Sequence, residues 1–287
     1  MRIASGLVAA TIACGAAAEG APPFAAFDIA GPAVLNDPHD LAMGPDGRIY
    51  VADKFGGRIA VLDPETLDVV ETLFEGRLPG VHDVSFGADG SAVVAVTGLG
   101  YAIVFDRLAA GEEARIALPG PGTEGALIHS NGRIYVLAGG PGALVAYEAD
   151  EPVAITQGHY GAHDVAEGPD GSVWVADNFK RRLVRYDQEL KLLQVIDDAK
   201  YGFVGPRYMD FDEGGRLVVA DQDAHRILLI DPESGPGGAL LGVLGDGAPG
   251  VGPGKFDDPE GVLVDGPYYY FADSDNNRIV RYVVVVN

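Results

Sequence analysis

Three histidines head three near-copies of one phrase, and that repetition is the chemical signal in this chain. The phrase runs Pro38-His39-Asp40-Leu41-Ala42-Met43-Gly44-Pro45-Asp46-Gly47 first. It returns as His82-Asp83-Val84-Ser85-Phe86-Gly87-Ala88-Asp89-Gly90, and again as His163-Asp164-Val165-Ala166-Glu167-Gly168-Pro169-Asp170-Gly171. Neutral imidazole ligates Zn²⁺ and comparable first-row ions, and three protein ligands with an open fourth position is a catalytic arrangement. His39, His82 and His163 are therefore candidate ligands of a divalent metal, Zn²⁺ foremost; hydrogen bonding to an organic ligand or to water is the other reading. Asp40, Asp83 and Asp164 follow the three histidines. A carboxylate there is placed to accept the second ring N–H of a ligating imidazole, or to cap the entry of a strand.

Whether these side chains meet depends on what repeats around them. Anchored on the Gly of the turn and on a V-A-D triplet, the phrase extends through the chain as six copies. Val173-Trp174-Val175-Ala176-Asp177, Gly215-Arg216-Leu217-Val218-Val219-Ala220-Asp221 and Tyr269-Tyr270-Phe271-Ala272-Asp273 mark later ones. A second apolar run follows each in register, as in Arg58-Ile59-Ala60-Val61-Leu62 and Arg226-Ile227-Leu228-Leu229-Ile230-Asp231. Two apolar runs flanking Asp-Gly signal a hairpin. Four antiparallel strands per unit of about 40 residues make one blade of a β-propeller. The expected fold is all-β, a six-bladed propeller over residues 19–287. The sixth copy lacks its fourth strand, which Phe27-Asp28-Ile29-Ala30 is placed to supply, and Ala239 to Leu244 reads as the outer strand of the fifth.

In such a ring the histidine position opens the innermost strand at the mouth of the central channel. Read through all six copies, that register gives His39, His82, Glu124, His163, Arg207 and Glu260. Glu124 lies between two histidine-bearing blades as a fourth ligand or general base. Arg207 is suited to clamp a substrate carboxylate and Glu260 to act as acid or base, or the two form a salt bridge between blades. Loops on the same face add Lys54, Phe55, Asn178, Phe179, Lys180, Gln222, Asp223, Asn276 and Asn277, with Tyr160, Tyr201 and Tyr208 near the ring. No G-x-S-x-G nucleophile motif is present.

The wording of the copies resembles the NHL-repeat propellers, whose pattern is apolar-x-V-A-D followed by N-x-R-I. Asp273-Ser274-Asp275-Asn276-Asn277-Arg278-Ile279 matches it best, with Asp53…Arg58-Ile59 and Asp177…Arg182-Leu183. Copies two and three depart, with Val96 and Gly139 read at the Asp position and Tyr101 and Ala143 at the Arg position. Among these propellers the histidine-bearing segments resemble the peptidyl-α-hydroxyglycine α-amidating lyase family. That resemblance implies His39, His82 and His163 as zinc ligands, Arg207 as carboxylate or alkoxide partner, and a Tyr as base. It points to a lyase or hydrolase acting on a small substrate. The His-dominated ring argues against the calcium-holding lactonase propellers. A non-catalytic binding propeller is the alternative.

Arg2, the apolar run Ile3 to Ala13 and Ala16-Ala17-Ala18 read as an export signal over residues 1–18, with Cys14, the single cysteine, inside it. A periplasmic or secreted protein follows. The formal net charge of −22 repels nucleic acid and anionic membrane, so a small molecule is the expected partner. No run of about 18 apolar residues suggests a membrane span.

Overall fold

The computed structural model describes residues 21–110, 116–197 and 199–284; residues 1–18, read above as an export signal, lie outside them. Strand β1 (Ala25–Ala30) precedes six sheets of four antiparallel strands. Blade 1 comprises β2 (Pro38–Met43), β3 (Ile49–Asp53), β4 (Arg58–Leu62) and β5 (Val69–Leu73). Blade 2 comprises β6 (Val81–Phe86), β7 (Ala92–Val96), β8 (Tyr101–Phe105) and β9 (Ile116–Pro119). Blade 3 comprises β10 (Thr123–Ile128), β11 (Ile134–Ala138), β12 (Ala143–Glu148) and β13 (Glu151–Gln157). Blade 4 comprises β14 (Asp164–Glu167), β15 (Val173–Asp177), β16 (Arg182–Tyr186) and β17 (Leu192–Ile196). Blade 5 comprises β18 (Pro206–Phe211), β19 (Leu217–Asp221), β20 (Arg226–Asp231) and β21 (Ala239–Leu244). Blade 6 takes β22 (Pro259–Asp265), β23 (Tyr268–Asp273) and β24 (Arg278–Val284), and its outer strand is β1. Each innermost strand, β2, β6, β10, β14, β18 and β22, touches the next around a closed ring. The expected six-bladed propeller is therefore the fold, and the N-terminal strand closes the last blade. Among the described residues no helix is long and apolar enough to cross a membrane.

The second strand of every blade is buried along its whole length, save Tyr268 at the start of β23, because both faces of its sheet pack on a neighbouring blade. Between blades 1 and 2, Tyr50, Ile59 and Val61 meet Val84, Val94 and Val96. Between blades 4 and 5, Trp174 and Leu183 meet Met209, Val219 and Leu228. Such sheets read as near-continuous apolar runs rather than alternating ones. At the tip of the inner hairpin, Gly47, Gly90, Gly132, Gly171 and Gly215 hold φ between 74 and 86°, a region that glycine enters without steric cost.

The V-A-D…R-I wording has a direct physical meaning. The Asp that ends the second strand receives the Arg that opens the third: Arg58 Nε to Asp53 at 2.6 Å, Arg182 to Asp177 at 2.8 Å, Arg226 to Asp221 at 2.9 Å, and Arg278 to Asp273 at 2.8 Å. In three blades the other carboxylate oxygen accepts main-chain N–H groups from the loop entering the same blade, those of Asn36, of Val204 and Gly205, and of Asp257. One buried side chain thus ties hairpin and incoming loop together. Blades 2 and 3 lack the clamp, as their sequences require. The strand pairing places Ala138, not Gly139, at the Asp position of blade 3, opposite Ala143 as Asp53 stands opposite Arg58.

Asp221 is fully buried and Arg226 nearly so. Removing one partner of such a pair leaves an uncompensated charge in low dielectric, which costs about 3–5 kcal/mol. Asp221→Ala is expected to lose about that much stability in urea unfolding, whereas Val96→Asp, which places a carboxylate opposite Tyr101 with no guanidinium beside it, also destabilises rather than restoring the repeat.

Candidate functional site

A β-bulge sits at the ring position of five blades: the register slips between Pro38 and Leu41, Val81 and Asp83, Thr123 and Gly125, Pro206 and Tyr208, and Pro259 and Val262. A bulge re-aims one side chain while the strand continues. In blade 4 the strand begins two residues later, and His163 precedes it. His39, His82, His163 and Glu260 are buried, and Glu124 and Arg207 are partly buried.

The six side chains divide into two groups. In the first, His82 Nδ1 lies 2.7 Å from the Gly80 carbonyl and 2.8 Å from Thr97 Oγ1. The Thr97 hydroxyl donates to the Thr123 carbonyl, so its oxygen accepts from the imidazole. Nδ1 of His82 therefore carries the proton. His163 Nδ1 likewise donates to the Gly161 carbonyl at 3.0 Å. Each ring then presents an Nε2 lone pair, and both face the same oxygen: Glu124 Oε2 is 3.0 Å from His82 Nε2 and 3.7 Å from His163 Nε2. Burial holds both imidazoles well below the usual histidine range, helped for His82 by His39 and for His163 by Arg207. Burial also raises the Glu124 carboxyl. Two neutral imidazole lone pairs thus face a buried carboxylate oxygen that makes no hydrogen bond.

The second group surrounds His39. Its Nδ1 is 2.7 Å from Glu260 Oε2 and its Nε2 3.3 Å from Asp37 Oδ2. Lys54 reaches Asp37 at 3.1 Å, and Arg207 Nε lies 3.2 Å from Glu260. Burial pushes the Asp37 carboxyl up, but His39 and Lys54 together outweigh it and hold that carboxyl well below its usual range. Gln222 completes the chain, accepting from Arg207 at 2.8 Å and donating to Glu260 at 2.8 Å and Asp258 at 2.7 Å.

The ligand atoms of Asp37, His39 and Glu260 lie within 4.8 Å of one another, but this set already holds cationic partners in Lys54 and Arg207. The Glu124 set makes no ion pair with Lys or Arg among the described residues, although Arg207 and Lys54 act on Glu124 at longer range. Its two oxygen-to-nitrogen spacings, 3.0 and 3.7 Å, lie near the ~3.3 Å between ligands of a tetrahedral zinc, but among the described residues it does not bring all three ligand atoms within 4.8 Å of one another as the Asp37 set does. The ring thus brings His82 and His163 to Glu124, while both nitrogens of His39 turn toward Asp37 and Glu260. Asp37, two residues ahead of His39 and outside the repeated register, went unread in the sequence.

The aspartates that follow the histidines do not receive the ring N–H groups. Asp40 accepts the Val84 N–H at 3.1 Å and Asp164 the Met209 N–H at 2.9 Å, each from the next blade, and Asp83 bonds the Ala126 backbone. The innermost strands need these acceptors because their inward edges have no strand beside them. In blade 5 the same position holds Tyr208, whose hydroxyl donates across the channel to the His82 carbonyl at 2.9 Å. Burial and Glu260 push that phenol well above its usual range, so it is a strut across the channel and not a poised base. Tyr201 is buried with its hydroxyl on the Gly237 carbonyl. Tyr160 is exposed at the rim.

A family model described as a domain of unknown function, DUF5074, matches residues 35–202, more than half of the chain. The chain belongs to that family. The DUF5074 match runs from the loop before β2 through blade 4, and so contains the whole His82–Glu124–His163 group. A PE-PGRS family protein, PE_PGRS18 of Mycobacterium tuberculosis (strain ATCC 25618 / H37Rv), is 37% identical over 67 residues, 23% of this DUF5074 chain and 13% of that protein. Among solved structures, virginiamycin B lyase from Staphylococcus aureus superposes with a TM-score of 0.65 at 13% identity, covering 87% of this chain and 96% of that one. A streptogramin B lyase gives 0.64 at 15%, covering 91% and 87%. An auxiliary nutrient binding protein from Bacteroides thetaiotaomicron VPI-5482 gives 0.68 at 17%, covering 86% and 69%. At these identities the likeness is one of fold.

The channel wall carries its own titration. Asp210 accepts the N–H groups of Val264 and Phe211, both at 2.7 Å, yet burial outweighs them and lifts its carboxyl to about 6. A folded value above the ordinary 3.8 contributes stability that is complete below pH ~4 and lost as pH rises through 6. Asp210→Asn, which keeps the acceptor for Val264, is expected to flatten the fall in stability across that window by about 3 kcal/mol, read from urea midpoints at pH 4, 5, 6 and 7.

Proposed function

We propose that the channel mouth holds a divalent cation through His82, His163 and Glu124, and that this exported propeller is a lyase or hydrolase acting on a small substrate there. The observation that carries the reading is the pair of tautomer-fixed imidazoles aimed at one buried carboxylate oxygen that lacks a hydrogen bond. Without a proton or a cation between them, acceptor would face acceptor in low dielectric. Zn²⁺ suits two imidazoles and a carboxylate, and leaves a coordination position for a substrate. Such an ion supplies Lewis acidity toward a substrate oxygen.

The remaining ring residues supply positioning and proton transfer. Arg207, restrained by Gln222 and Glu260, offers guanidinium N–H groups to a substrate oxygen. His39 and Glu260, 2.7 Å apart, form a buried pair between which a proton moves, with Asp37 on the far nitrogen orienting the ring. Tyr208 spans the channel below, so reactants enter from the mouth. The fold likeness to virginiamycin B lyase agrees with a lyase reading by analogy. The likeness to nutrient-binding propellers supports the second reading, a non-catalytic binding protein, which gains if metal is present and no substrate turns over.

Elemental analysis of the full chain isolated from its own host is expected to find about one divalent ion per chain. Glu124→Gln and His82→Ala are each expected to lower its affinity by tenfold or more and to abolish turnover, with the melting temperature of the metal-free protein down by several degrees. Metal-free wild-type protein, or variants that retain the full complement, would overturn the assignment.

A further inference from the structure

The residues that follow the second strand of each blade form a set around the ring: Lys54, Thr97, Gly139, Asn178, Gln222 and Ser274. Most of them steady a neighbour. Lys54 binds Asp37, Thr97 fixes the tautomer of His82, Gln222 joins Arg207 to Glu260, and Ser274 donates to the Pro38 carbonyl. Gly139 makes room, since a Cβ there would stand 2.8 Å from Glu124 Cγ. Asn178 differs. It is 5% exposed, and its Nδ2 donates to nothing among the described residues.

That amide faces the loop entering the next blade: its Nδ2 is 3.3 Å from the point a Cβ on Gly205 would occupy, a point that Asp223 Oδ2 approaches to 2.7 Å. Arg207, two residues beyond Gly205, is committed to Glu260 and Gln222. A buried amide N–H that donates to nothing calls for an acceptor oxygen. Next to them stands an aromatic pair that is exposed but seated. Phe179 is 64% exposed and Tyr160 63%, with ring centroids 6.1 Å apart, and Phe179 is 6.5 Å from His163. Phe179 lies flat on the backbone of Gly161, where a Cβ would come within 2.2 Å of its ring. A hydrophobic ring held on a rim, next in the chain to an unsatisfied donor, is the arrangement of a small-molecule site with few polar contacts.

We propose that Asn178 and Phe179 are the specificity corner of the mouth: Asn178 donates its amide N–H to a carbonyl oxygen of the substrate, whose planar apolar group lies against Phe179 and Tyr160. The substrate class is an aryl-bearing carbonyl compound, either a neutral amide or ester or a carboxylate. The inference rests on the reading of the mouth as a small-substrate site, and it concerns residues that are not metal ligands.

The test is ligand-observed saturation-transfer NMR on the full chain with four probes: phenylacetamide, phenylacetate, acetamide (no ring) and benzyl alcohol (no carbonyl). At least one aryl carbonyl probe is expected to bind through its ring protons, and the better of the two tells a neutral carbonyl from a carboxylate. Asn178→Leu is expected to weaken that probe about fivefold or more and leave benzyl alcohol unchanged. Phe179→Ala, a surface change that keeps the fold testable if Asn178→Leu does not, is expected to weaken both aryl carbonyl probes and leave acetamide unchanged. Failure of both aryl carbonyl probes to bind, or binding that neither variant alters, overturns the proposal. Metal content measured on the same samples separates the two readings: intact metal with variant-independent binding removes this corner alone, whereas metal-free wild type with Asn178-dependent binding removes the metal and keeps the corner.

Discussion

Six sheets meeting at one axis leave six innermost strand edges with no strand beside them. Each edge presents main-chain N–H groups to a channel too narrow for another strand, and a buried unpaired N–H costs as much as a lost hydrogen bond. The chain meets this constraint with carboxylates from the adjacent blade. Asp40 serves Val84, Asp83 serves Ala126, Asp164 serves Met209, and Asp210 serves Val264. These bonds tie blade to blade where the apolar packing ends. They also concentrate buried acid: on top of the effect of burial, Asp164 and Asp210 raise the proton affinity of Asp40, Asp40 and Asp164 that of Asp83, and Asp210 that of Asp164.

The site sits directly above that layer. Because the bulges fall at the ring residues, one strand can send an aspartate to its neighbour and the preceding histidine or glutamate to the mouth. The same burial that lifts the aspartates keeps His82 and His163 neutral, which is the protonation state a metal ligand needs. Structure and chemistry are coupled here through one dielectric environment. A more open channel would solvate the aspartates but return the imidazoles toward their ordinary basicity.

Much of this was legible in the residues. The D-G turns and V-A-D triplets gave six hairpins, the short sixth copy implied closure by Phe27 to Ala30, and the register gave all six ring positions. What stayed hidden depends on direction rather than spacing. Period-2 reasoning does not foresee that a bulge turns Asp40 away from His39 and toward Val84. Nor does it reveal Asp37, which reaches His39 only because the loop before β2 folds back with φ of 60° at that residue. The alignment of Gly139 with the Asp position failed for a related reason, as only strand pairing separates it from Ala138.

The departures from the repeat carry the most chemistry. Blades 1, 4, 5 and 6 keep the Asp–Arg clamp, which fixes the hairpin, and in blades 1, 5 and 6 the incoming loop, but commits an ion pair there. Blades 2 and 3 give it up, and there the next residues take other work: Thr97 sets the tautomer of His82, and Gly139 leaves space for Glu124. A chain that breaks its own local rule at two adjacent blades needs a compensating gain. The gain is a carboxylate and an imidazole brought together with no Arg or Lys in ion-pair contact among the described residues.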